Sequence, residues 1–294
     1  MMDVVITYVN GLDPLWVADY EKYVGKSVIA KRFRDWGLLK YIFRGIQAYM
    51  PFVDNVFLVV ARESQVPEWL DRGRVKVVLH RDIIPEEYLP VFNSSSIEMF
   101  LHRIPGLGEH VLYLNDDFFP VRECRLEDLF PDGKPVIGMS RQLFVAGNDF
   151  RYLVRHSDRL ARKAAGKLPS PFYLRPQHIC YALLKSRCDE AFEASREEIL
   201  SSVTRLRERA NYNIYYFLDY IHYCGDSVDR RMSKKHFSLA VAGLEEICGF
   251  LGNPSSDFVC INDVQMTDEK FERYGKGIRR AFEERLPDKS VYEL

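Results

Sequence analysis

The sequence predicts an α/β fold in which a mainly parallel sheet is flanked by helices and is followed by a helix-rich C-terminal half. Up to about residue 120, short apolar runs rich in β-branched residues alternate with amphipathic stretches. Such alternation favours strands that are joined by helices covering both faces of the sheet. From about residue 138 onward, longer amphipathic and aromatic stretches replace the apolar runs. We therefore expect one α/β domain whose second half is mostly helical.

Four apolar runs in the first part are predicted strands, and one amphipathic stretch, Leu38 to Tyr49 before Pro51, is a predicted helix. Ligands of such sheets bind beyond the carboxyl ends of the strands. Polar clusters follow the first and the fourth run, at 10–13 and 115–117, and are candidate ligand contacts. The four runs are Val4–Val9, Val56–Val60, Val75–Leu79 and Val111–Leu114.

Three features stand out in the second half. A long stretch from Ala182 to Arg209 is predicted to be helical, and Glu269 to Glu284 is predicted to be a closing helix with Thr267 or Asp268 as its N-cap. Basic residues also recur every fourth position, which places them along one face if the segment is a helix. This basic row consists of Arg151, Arg155, Arg159 and Lys163.

Composition excludes several classes of protein. With 294 residues, 47% of them hydrophobic, the chain is long enough for a large core, and its net charge of -1 argues against a general nucleic-acid binder. The N-terminus lacks the features of a signal peptide, and no apolar run is long enough to span a bilayer. Six cysteines without a C-x-x-C pair indicate free thiols in a reducing compartment. We expect a soluble, unprocessed protein.

Two acidic motifs are candidates for binding a metal ion. Asp116 and Asp117 directly follow the fourth predicted strand, and Asp263 follows an apolar run that ends in Asn262. Mg²⁺ binds through one or two carboxylates together with substrate phosphates. The alternative is that both motifs are turns, in which Asn and Asp side chains bond their own backbone.

Other residues have the chemistry to act on a hydroxyl group or a phosphate. His178 has a side chain suited to accept the proton of a sugar hydroxyl. Arg207 and Arg32 carry guanidinium groups, which match phosphate oxygens and stabilise charge in phosphoryl transfer. The alternatives are a structural histidine and arginines on a solvated helix face.

The order of these motifs resembles the Stealth family, which includes bacterial capsule polymerases and the lysosomal-enzyme N-acetylglucosamine-1-phosphotransferase. The resemblance covers nearly the whole chain and is strongest from Arg32 to Asp117. One departure is that Ala210 and Asn211 replace an acidic pair of the family. The matching segments are Asp3–Asp13, Arg32–Asp35, Val66–Leu70, His80–Ile83, Leu89–Ser94, Leu101–Leu107, Tyr113–Asp117, Leu206–Arg207, Phe258–Asp263 and Leu286–Glu293, with His178 and Lys185 in the third motif region.

This resemblance implies a glycosyltransferase-A-like core in one catalytic domain over residues 1–294. Within it, residues 1–137 would bind the nucleotide-sugar, 138–257 would form a helix-rich segment, and 258–294 would carry the last motif and the closing helix. The implied reaction moves a hexose-1-phosphate, by default N-acetylglucosamine-1-phosphate, from a UDP-sugar to a glycan hydroxyl in capsular or exopolysaccharide synthesis. UMP leaves, and Mg²⁺ or Mn²⁺ is the implied cofactor.

The resemblance also implies roles for individual residues. Asp116, Asp117 and Asp263 would hold the metal. Asp117, His178 and Arg207 would be catalytic, with His178 as base and Arg207 against the transferring phosphoryl group. Substrate contacts are predicted for Asn10, Gly11, Asp13, Arg32, Asp35, Asn93, Ser94, His102, Arg103, Asn115 and Asn262.

Two other functions and two further partners remain open from the sequence. The chain is also compatible with a metal-dependent glycosyltransferase that forms a glycosidic bond and releases UDP. A second alternative is a homologue that binds a nucleotide-sugar or glycan without turnover. The basic row at 151–163 is suited either to an anionic polysaccharide or to the anionic inner face of the cytoplasmic membrane, with the protein itself in the cytoplasm.

Overall fold

The computed structural model describes residues 1–25, 33–145, 147–264 and 266–294, and these residues form a mixed α/β protein. The predicted α/β class is confirmed, as is the helix-rich C-terminal half. The strands are β1 (Met2–Thr7), β2 (Val53–Val60), β3 (Val75–Leu79), β4 (His110–Asn115), β5 (Phe118–Pro120), β6 (Met139–Leu143), β7 (Phe172–Pro176), β8 (Tyr181–Leu184), β9 (Lys234–Ser238) and β10 (Phe258–Asn262).

The helices include five of nine or more residues that follow the acidic motif of the first half. The α-helices are α1 (Pro14–Val24), α2 (Leu39–Tyr49), α3 (His80–Ile83), α4 (Ser94–Glu98), α5 (Leu126–Leu129), α6 (Asp149–Ala164), α7 (Lys185–Ala194), α8 (Arg196–Ser202), α9 (Tyr215–Tyr223), α10 (Leu244–Gly252) and α11 (Asp268–Arg285). Short 3₁₀ helices lie at Glu63–Gln65, Glu86–Tyr88, Leu101–Arg103 and Pro131–Gly133.

The central sheet has five strands in the order β3-β2-β1-β4-β8. β1 is buried along almost its whole length, which agrees with its run of apolar residues and with an interior position in the sheet. β8 lies at one edge and pairs with β4 in antiparallel orientation, so that Tyr113 is opposite Tyr181. Two smaller sheets have the orders β5-β10-β9 and β6-β7.

The chain divides into two compact units. The first unit comprises residues 1–3, 78–113 and 126–232, and the second comprises 4–77, 114–125 and 233–294. In the first unit, α6 and α9 pack together, and the Ser157 hydroxyl of α6 donates to Asn213 Oδ1 at 3.1 Å, just before α9. In the second unit, Tyr41 of α2 stacks on Phe282 of α11 with a ring-centroid distance of 5.1 Å.

Local sequence signals predicted several boundaries well. The closing helix begins after Thr267, whose side chain accepts a hydrogen bond from the Lys270 amide at 3.3 Å. This is the N-cap arrangement that satisfies an otherwise unpaired amide in the first helical turn. The helix predicted over 38–49 is α2, and the four predicted strands of the first half are β1 to β4.

The predicted helix from Ala182 to Arg209 is wrong in part. Its first residues belong to β8, and its helical part consists of α7 and α8, which end at Ser202. A short apolar run such as 181–184 has no periodicity that separates a strand from a helix. Here the pairing of β8 with β4 decides for the strand.

All six cysteines are free, as their spacing predicted. None of the helices in the described ranges combines the length and the apolar character that a membrane crossing requires.

Candidate active site

An acidic pocket with a volume of about 170 Å³ lies in the second unit. Four carboxylate side chains line it, and they come from three distant parts of the sequence. Three of them, Asp116, Asp117 and Asp263, were predicted as metal ligands. The fourth, Asp35, was predicted as a substrate contact.

Strand pairing brings these carboxylates together. Asp116 and Asp117 form the turn between β4 and β5, and Asp263 follows β10. β10 pairs with β5 in antiparallel orientation, and the Ile261 amide donates to the backbone carbonyl of Asp117 at 3.0 Å. The end of β10 therefore lies beside the start of β5, and the two acidic motifs share one pocket.

Asp117 has two different carboxylate oxygens. Its Oδ2 accepts hydrogen bonds from the Cys260 thiol at 3.4 Å and from Asn262 Nδ2 at 3.5 Å. Its Oδ1 is buried and has no hydrogen-bond partner among the residues that the structure describes. Burial raises the pKa of Asp117 to about 6, and the two donors at Oδ2 oppose this rise.

Asp116 lies in a crowded electrostatic environment. Desolvation by the surrounding protein raises the pKa of Asp116 to about 8. Repulsion from the negative charges of Asp117 and Asp35 adds to this rise. The Asp116 side chain is not completely buried, because part of it is exposed to solvent. The rise of its pKa therefore comes from the protein atoms that line the pocket and from the neighbouring carboxylates. Desolvation also raises the pKa of Asp263. A cluster of this kind gains stability from any bound cation.

Asp35 and Arg34 also contribute to the lining of the pocket. Asp35 accepts hydrogen bonds from the Tyr8 hydroxyl at 2.9 Å and from the Gly37 amide at 2.8 Å. Arg34 is only 13% exposed; it pairs with Asp268, and its guanidinium lies 4.6 Å from the centre of the Phe271 ring. Its Nη1 is buried and has no partner in the described part of the chain. The pocket thus combines several acids with one guanidinium that retains an unused donor.

The donor set of this pocket fits a divalent cation. Mg²⁺ and Mn²⁺ prefer carboxylate and other oxygen ligands. Asp117 Oδ1 is a buried acceptor that lacks a partner within the described ranges, and burying such a group costs free energy unless a ligand satisfies it. Asp116 and Asp263 supply further oxygens on the same lining.

The first motif has clear structural roles outside the pocket lining. Asp13 caps α1 by accepting the Leu15 amide at 3.1 Å, and its other oxygen accepts the Ser64 hydroxyl at 2.7 Å. Asn10 Oδ1 accepts the Leu12 amide at 2.9 Å. A Cβ added to Gly11 would lie 2.2 Å from the Phe33 carbonyl oxygen, so only glycine fits there.

Three further residues were predicted as substrate contacts near this pocket: Asn262, Asn115 and Arg32. Asn262 donates to Asp117, as described above. Asn115 is the half-buried last residue of β4. Arg32 lies outside the described residues.

His178, in the first unit, is held by two tyrosines. Its Nδ1 is 2.8 Å from the Tyr181 hydroxyl and 3.5 Å from the Tyr215 hydroxyl. Tyr181 also stacks on Tyr113 across the β4–β8 pair with a ring-centroid distance of 5.7 Å. Burial raises the pKa of Tyr181 and of Tyr215, so both remain neutral phenols. The histidine is half-buried.

Arg207 lies on an exposed segment of the same unit and donates from Nη2 to Ser94 Oγ at 2.5 Å. Glu98 lies one helical turn after Ser94, is buried, and accepts the Ile214 amide at 2.9 Å. Burial raises the pKa of Glu98 to about 7, although Ile214 and the charge of Arg207 oppose this rise. The hydrogen bond from Arg207 to Ser94 joins two residues that were predicted from different motif regions.

Asn93 and Asn211 form a buried network in this unit. Asn93 Nδ2 donates to Asn211 Oδ1 at 2.9 Å and to Ser96 Oγ at 3.0 Å. Asn211 Nδ2 donates in turn to Thr204 Oγ1 at 2.8 Å. An ionised aspartate could not make that donation. The Asn211 that replaces an acidic residue of the family therefore fits its surroundings as an amide.

His102 and Arg103 are held by structural contacts. His102 Nδ1 is 2.7 Å from Asp189, and burial lowers the pKa of His102. Its Nε2 is buried without a hydrogen-bond partner in the described ranges. The Arg103 guanidinium lies 5.9 Å from the centre of the Phe100 ring. Their role as substrate contacts stays a prediction.

The basic row lies on α6, as its four-residue spacing predicted. Arg151 and Arg159 are exposed. Lys163 forms a salt bridge of 2.7 Å with Glu198, and the Arg155 guanidinium lies 4.2 Å from the centre of the Phe144 ring.

Sequence reasoning missed several residues that shape these environments. Tyr8 falls within the first predicted strand and Cys260 within the matching segment Phe258–Asp263, and neither residue was given a role in the site. Arg34 lies in the matching segment Arg32–Asp35 but was not selected as a site residue, and Tyr181, which directly precedes the helix predicted from Ala182, was given no role. For Arg34 the sequence does contain a signal, because Arg34 is adjacent to Asp35, which was predicted as a substrate contact.

Comparisons with known proteins agree with the motif order. Residues 32–136 match the family model described as Stealth protein CR2, conserved region 2. The capsular polysaccharide phosphotransferase WcwK of Streptococcus pneumoniae is 30% identical, with 100% of this chain and 99% of that protein covered. The exopolysaccharide phosphotransferase cps2G of Lactiplantibacillus plantarum is 28% identical over 99% of this chain and 96% of its own. Among solved structures, the galactosyltransferase LgtC, crystallised with donor and acceptor sugar analogs, matches with a TM-score of 0.44 and 14% identity over 94% of this chain and 95% of its own.

Proposed function

This chain belongs to the Stealth family, and we propose that it transfers a hexose-1-phosphate from a UDP-sugar to a hydroxyl group of a glycan, with release of UMP. The default donor is UDP-N-acetylglucosamine, and the setting is capsular or exopolysaccharide synthesis. The names of the full-length relatives, which are polysaccharide phosphotransferases, support a transferase of this kind. The acidic pocket with the unsatisfied Asp117 Oδ1 carries the proposal.

Asp116, Asp117 and Asp263 would hold Mg²⁺ or Mn²⁺. The cation would supply positive charge that neutralises the diphosphate of the donor. The raised pKa of Asp117 and that of Asp116 show that these carboxylates are poorly compensated without a counter-charge. Their chemistry is therefore matched to a metal-bound anionic substrate.

Arg34 is our candidate for direct contact with the donor diphosphate. Its guanidinium lines the acidic pocket, and its Nη1 has no partner among the described residues. Guanidinium groups match phosphate oxygens in geometry and charge. This assignment adds to Arg32, which was predicted from the same motif and stays a prediction.

His178 is the proposed base for the acceptor. Its Nδ1 faces the Tyr181 hydroxyl, so Nε2 is the nitrogen assigned to take the hydroxyl proton. The acceptor oxygen then forms a bond to the β-phosphorus, and the bond from that phosphorus to the oxygen of UMP breaks. Arg207 is the proposed partner for negative charge on the transferring phosphoryl group.

The nucleotide that is released tests this proposal against its rivals. The enzyme is incubated with UDP-N-acetylglucosamine and related donors, glycan acceptors, and Mg²⁺ or Mn²⁺, and the products are separated by chromatography. UMP supports phosphoryl transfer, whereas UDP would show that the chain forms a glycosidic bond. Binding of the donor without any product would indicate a non-catalytic homologue.

Replacing Asp117 by Asn tests the site itself. D117N removes one negative charge from the pocket, and we expect turnover to fall by roughly 100-fold or more with little change in melting temperature. Asp54→Asn is a matched control, because Asp54 is an exposed residue of β2 outside the pocket lining. Full activity in D117N would contradict the assignment of the metal site.

A further inference from the structure

A surface that is both basic and apolar lies on the first unit. We call it the β6–α6 surface and define it by Arg141, Leu143 and Val145 at the end of β6, together with Arg151 and Arg159 of α6. Leu143 is 57% exposed and Val145 is 83% exposed. The two are only two positions apart in sequence, and exposed apolar groups that are clustered mark interaction sites.

Contacts within the unit join these residues into one surface. Arg141 and Leu143 are two positions apart on β6 and therefore point to the same side of the β6–β7 sheet. Leu143 is opposite Phe172 on β7. Phe144, between Leu143 and Val145, packs against Tyr152 of α6 with a ring-centroid distance of 4.9 Å. The end of β6 and the first turns of α6 are thus adjacent.

The charge of this region is strongly positive. Residues 139–175 contain eight basic and two acidic side chains, in a chain whose net charge is -1. Of the two acids, Asp149 is paired with Arg209, and Asp158 is buried. Neither leaves an exposed, unpaired negative charge to offset the arginines of the β6–α6 surface.

The chemistry of the surface favours a lipid bilayer over a polyanionic glycan. A glycan would use aromatic faces for stacking, but guanidinium groups already cover two of these rings: Arg141 lies 4.1 Å from the centre of Phe172, and Arg155 covers Phe144. Leu143 and Val145 gain little from a hydrated glycan, whereas they would lose contact with water in the apolar layer of a membrane. Stable peripheral binding generally needs both signals, apolar insertion and basic charge.

We propose that the β6–α6 surface binds an anionic lipid bilayer. Leu143 and Val145 enter the boundary between headgroups and acyl chains, and Arg141, Arg151 and Arg159 lie against lipid phosphates. This inference goes beyond the proposed transferase activity, and it stands or falls independently of the metal site.

Sedimentation with lipid vesicles tests the proposal. The full chain is mixed with vesicles of phosphatidylcholine alone or with added phosphatidylglycerol, and we expect binding to the anionic vesicles that weakens with salt. R151Q/R159Q should bind about 25-fold more weakly, since each basic residue near an anionic surface contributes about a fivefold factor. L143S/V145S should lose roughly tenfold or more in affinity.

Matched controls come from the second unit. Val241 is 87% exposed and Lys276 lies on the exposed face of α11, so V241S and K276Q make the same kinds of change elsewhere and should bind like wild type. V145S alone guards against misfolding of the double variant. The proposal is overturned if the wild type ignores anionic vesicles, or if both L143S/V145S and V145S bind them as tightly as wild type. In the second case, weaker binding of a soluble phosphodiester glycan by R151Q/R159Q would assign the surface to glycan.

Discussion

Asp117 and Glu98 show how differently two buried carboxyl groups can be accommodated. One oxygen of Asp117 has no hydrogen-bond partner among the described residues, so it is available to a cation under the proposed function. Glu98 accepts the Ile214 amide and lies near the charge of Arg207, yet burial still raises its pKa to about 7. In both cases desolvation outweighs the available hydrogen bonds.

The pKa of Glu98 leads to a prediction for stability. The folded protein holds the Glu98 proton up to about pH 7, whereas the unfolded chain loses it near the ordinary value of 4.5. Stability from this group is therefore complete below pH 4.5 and is lost as the pH rises to about 7, by on the order of 3 kcal/mol. Glu98→Gln keeps an acceptor for Ile214 and removes the titration. Urea unfolding at about pH 5 and about pH 8 should show E98Q gaining relative to wild type at the higher pH; parallel curves would refute this.

Tyr181 gives a second prediction at the scale of a residue. Tyr181→Phe removes the hydroxyl 2.8 Å from His178 Nδ1, and we expect kcat to fall roughly tenfold with little change in KM. Nitrogen NMR of His178 should show a shift in the balance between its two neutral tautomers. Tyr212→Phe is the control, because Tyr212 is a half-buried tyrosine of the same unit that stacks on His156, with a ring-centroid distance of 6.1 Å. An unchanged tautomer balance would show that Tyr181 does not position the ring.

At the scale of elements, the antiparallel β5–β10 pair is what builds the acidic pocket. Each strand ends or begins with an acidic motif, and the pairing register sets Cys260 opposite Phe118. The segment before α1 has a supporting role, because the Gly11 amide donates to the Phe33 carbonyl at 3.0 Å. Phe33, Arg34 and Asp35 all contribute to the lining of the pocket.

Gly11 therefore provides a prediction for this element. In Gly11→Ala the new methyl group would lie 2.2 Å from the Phe33 carbonyl oxygen, and we expect a loss of roughly 2 kcal/mol in the free energy of unfolding. The control is Gly249→Ala in α10, where an added Cβ meets no atom within 4 Å; alanine in a helix should stabilise by roughly 0.5–1 kcal/mol. Both are measured by denaturant unfolding, and equal stability of G11A and wild type would contradict the packing described.

At the scale of the whole molecule, a cation at the acidic pocket would add to global stability. A ligand that binds only the folded state, at about a hundredfold excess over its Kd, stabilises by roughly 2.7 kcal/mol. Mg²⁺ or Mn²⁺ should therefore raise the melting temperature of the wild type, measured by differential scanning calorimetry. D117N should respond less, and D54N should respond like wild type. Identical responses of D117N and wild type would place the cation elsewhere.

The sequence by itself determined the α/β class, the four strands of the first half, the closing helix with its cap, and the acidic motifs of the family. These features depend on local patterns, such as the periodicity of apolar residues or a polar motif directly after a strand. Even the basic row on α6 follows from four-residue spacing alone.

Only the tertiary structure decided which of these residues meet. Asp117 and Asp263 are far apart in sequence, and they line one pocket because β10 pairs with β5. Asp35 joins them from a third segment, where its carboxylate accepts the hydrogen bond of the Tyr8 hydroxyl. The same kind of long-range pairing made 181–184 a strand beside β4 and set Tyr181 next to His178. Strand pairing depends on contacts between distant segments, and no local period in the sequence records them.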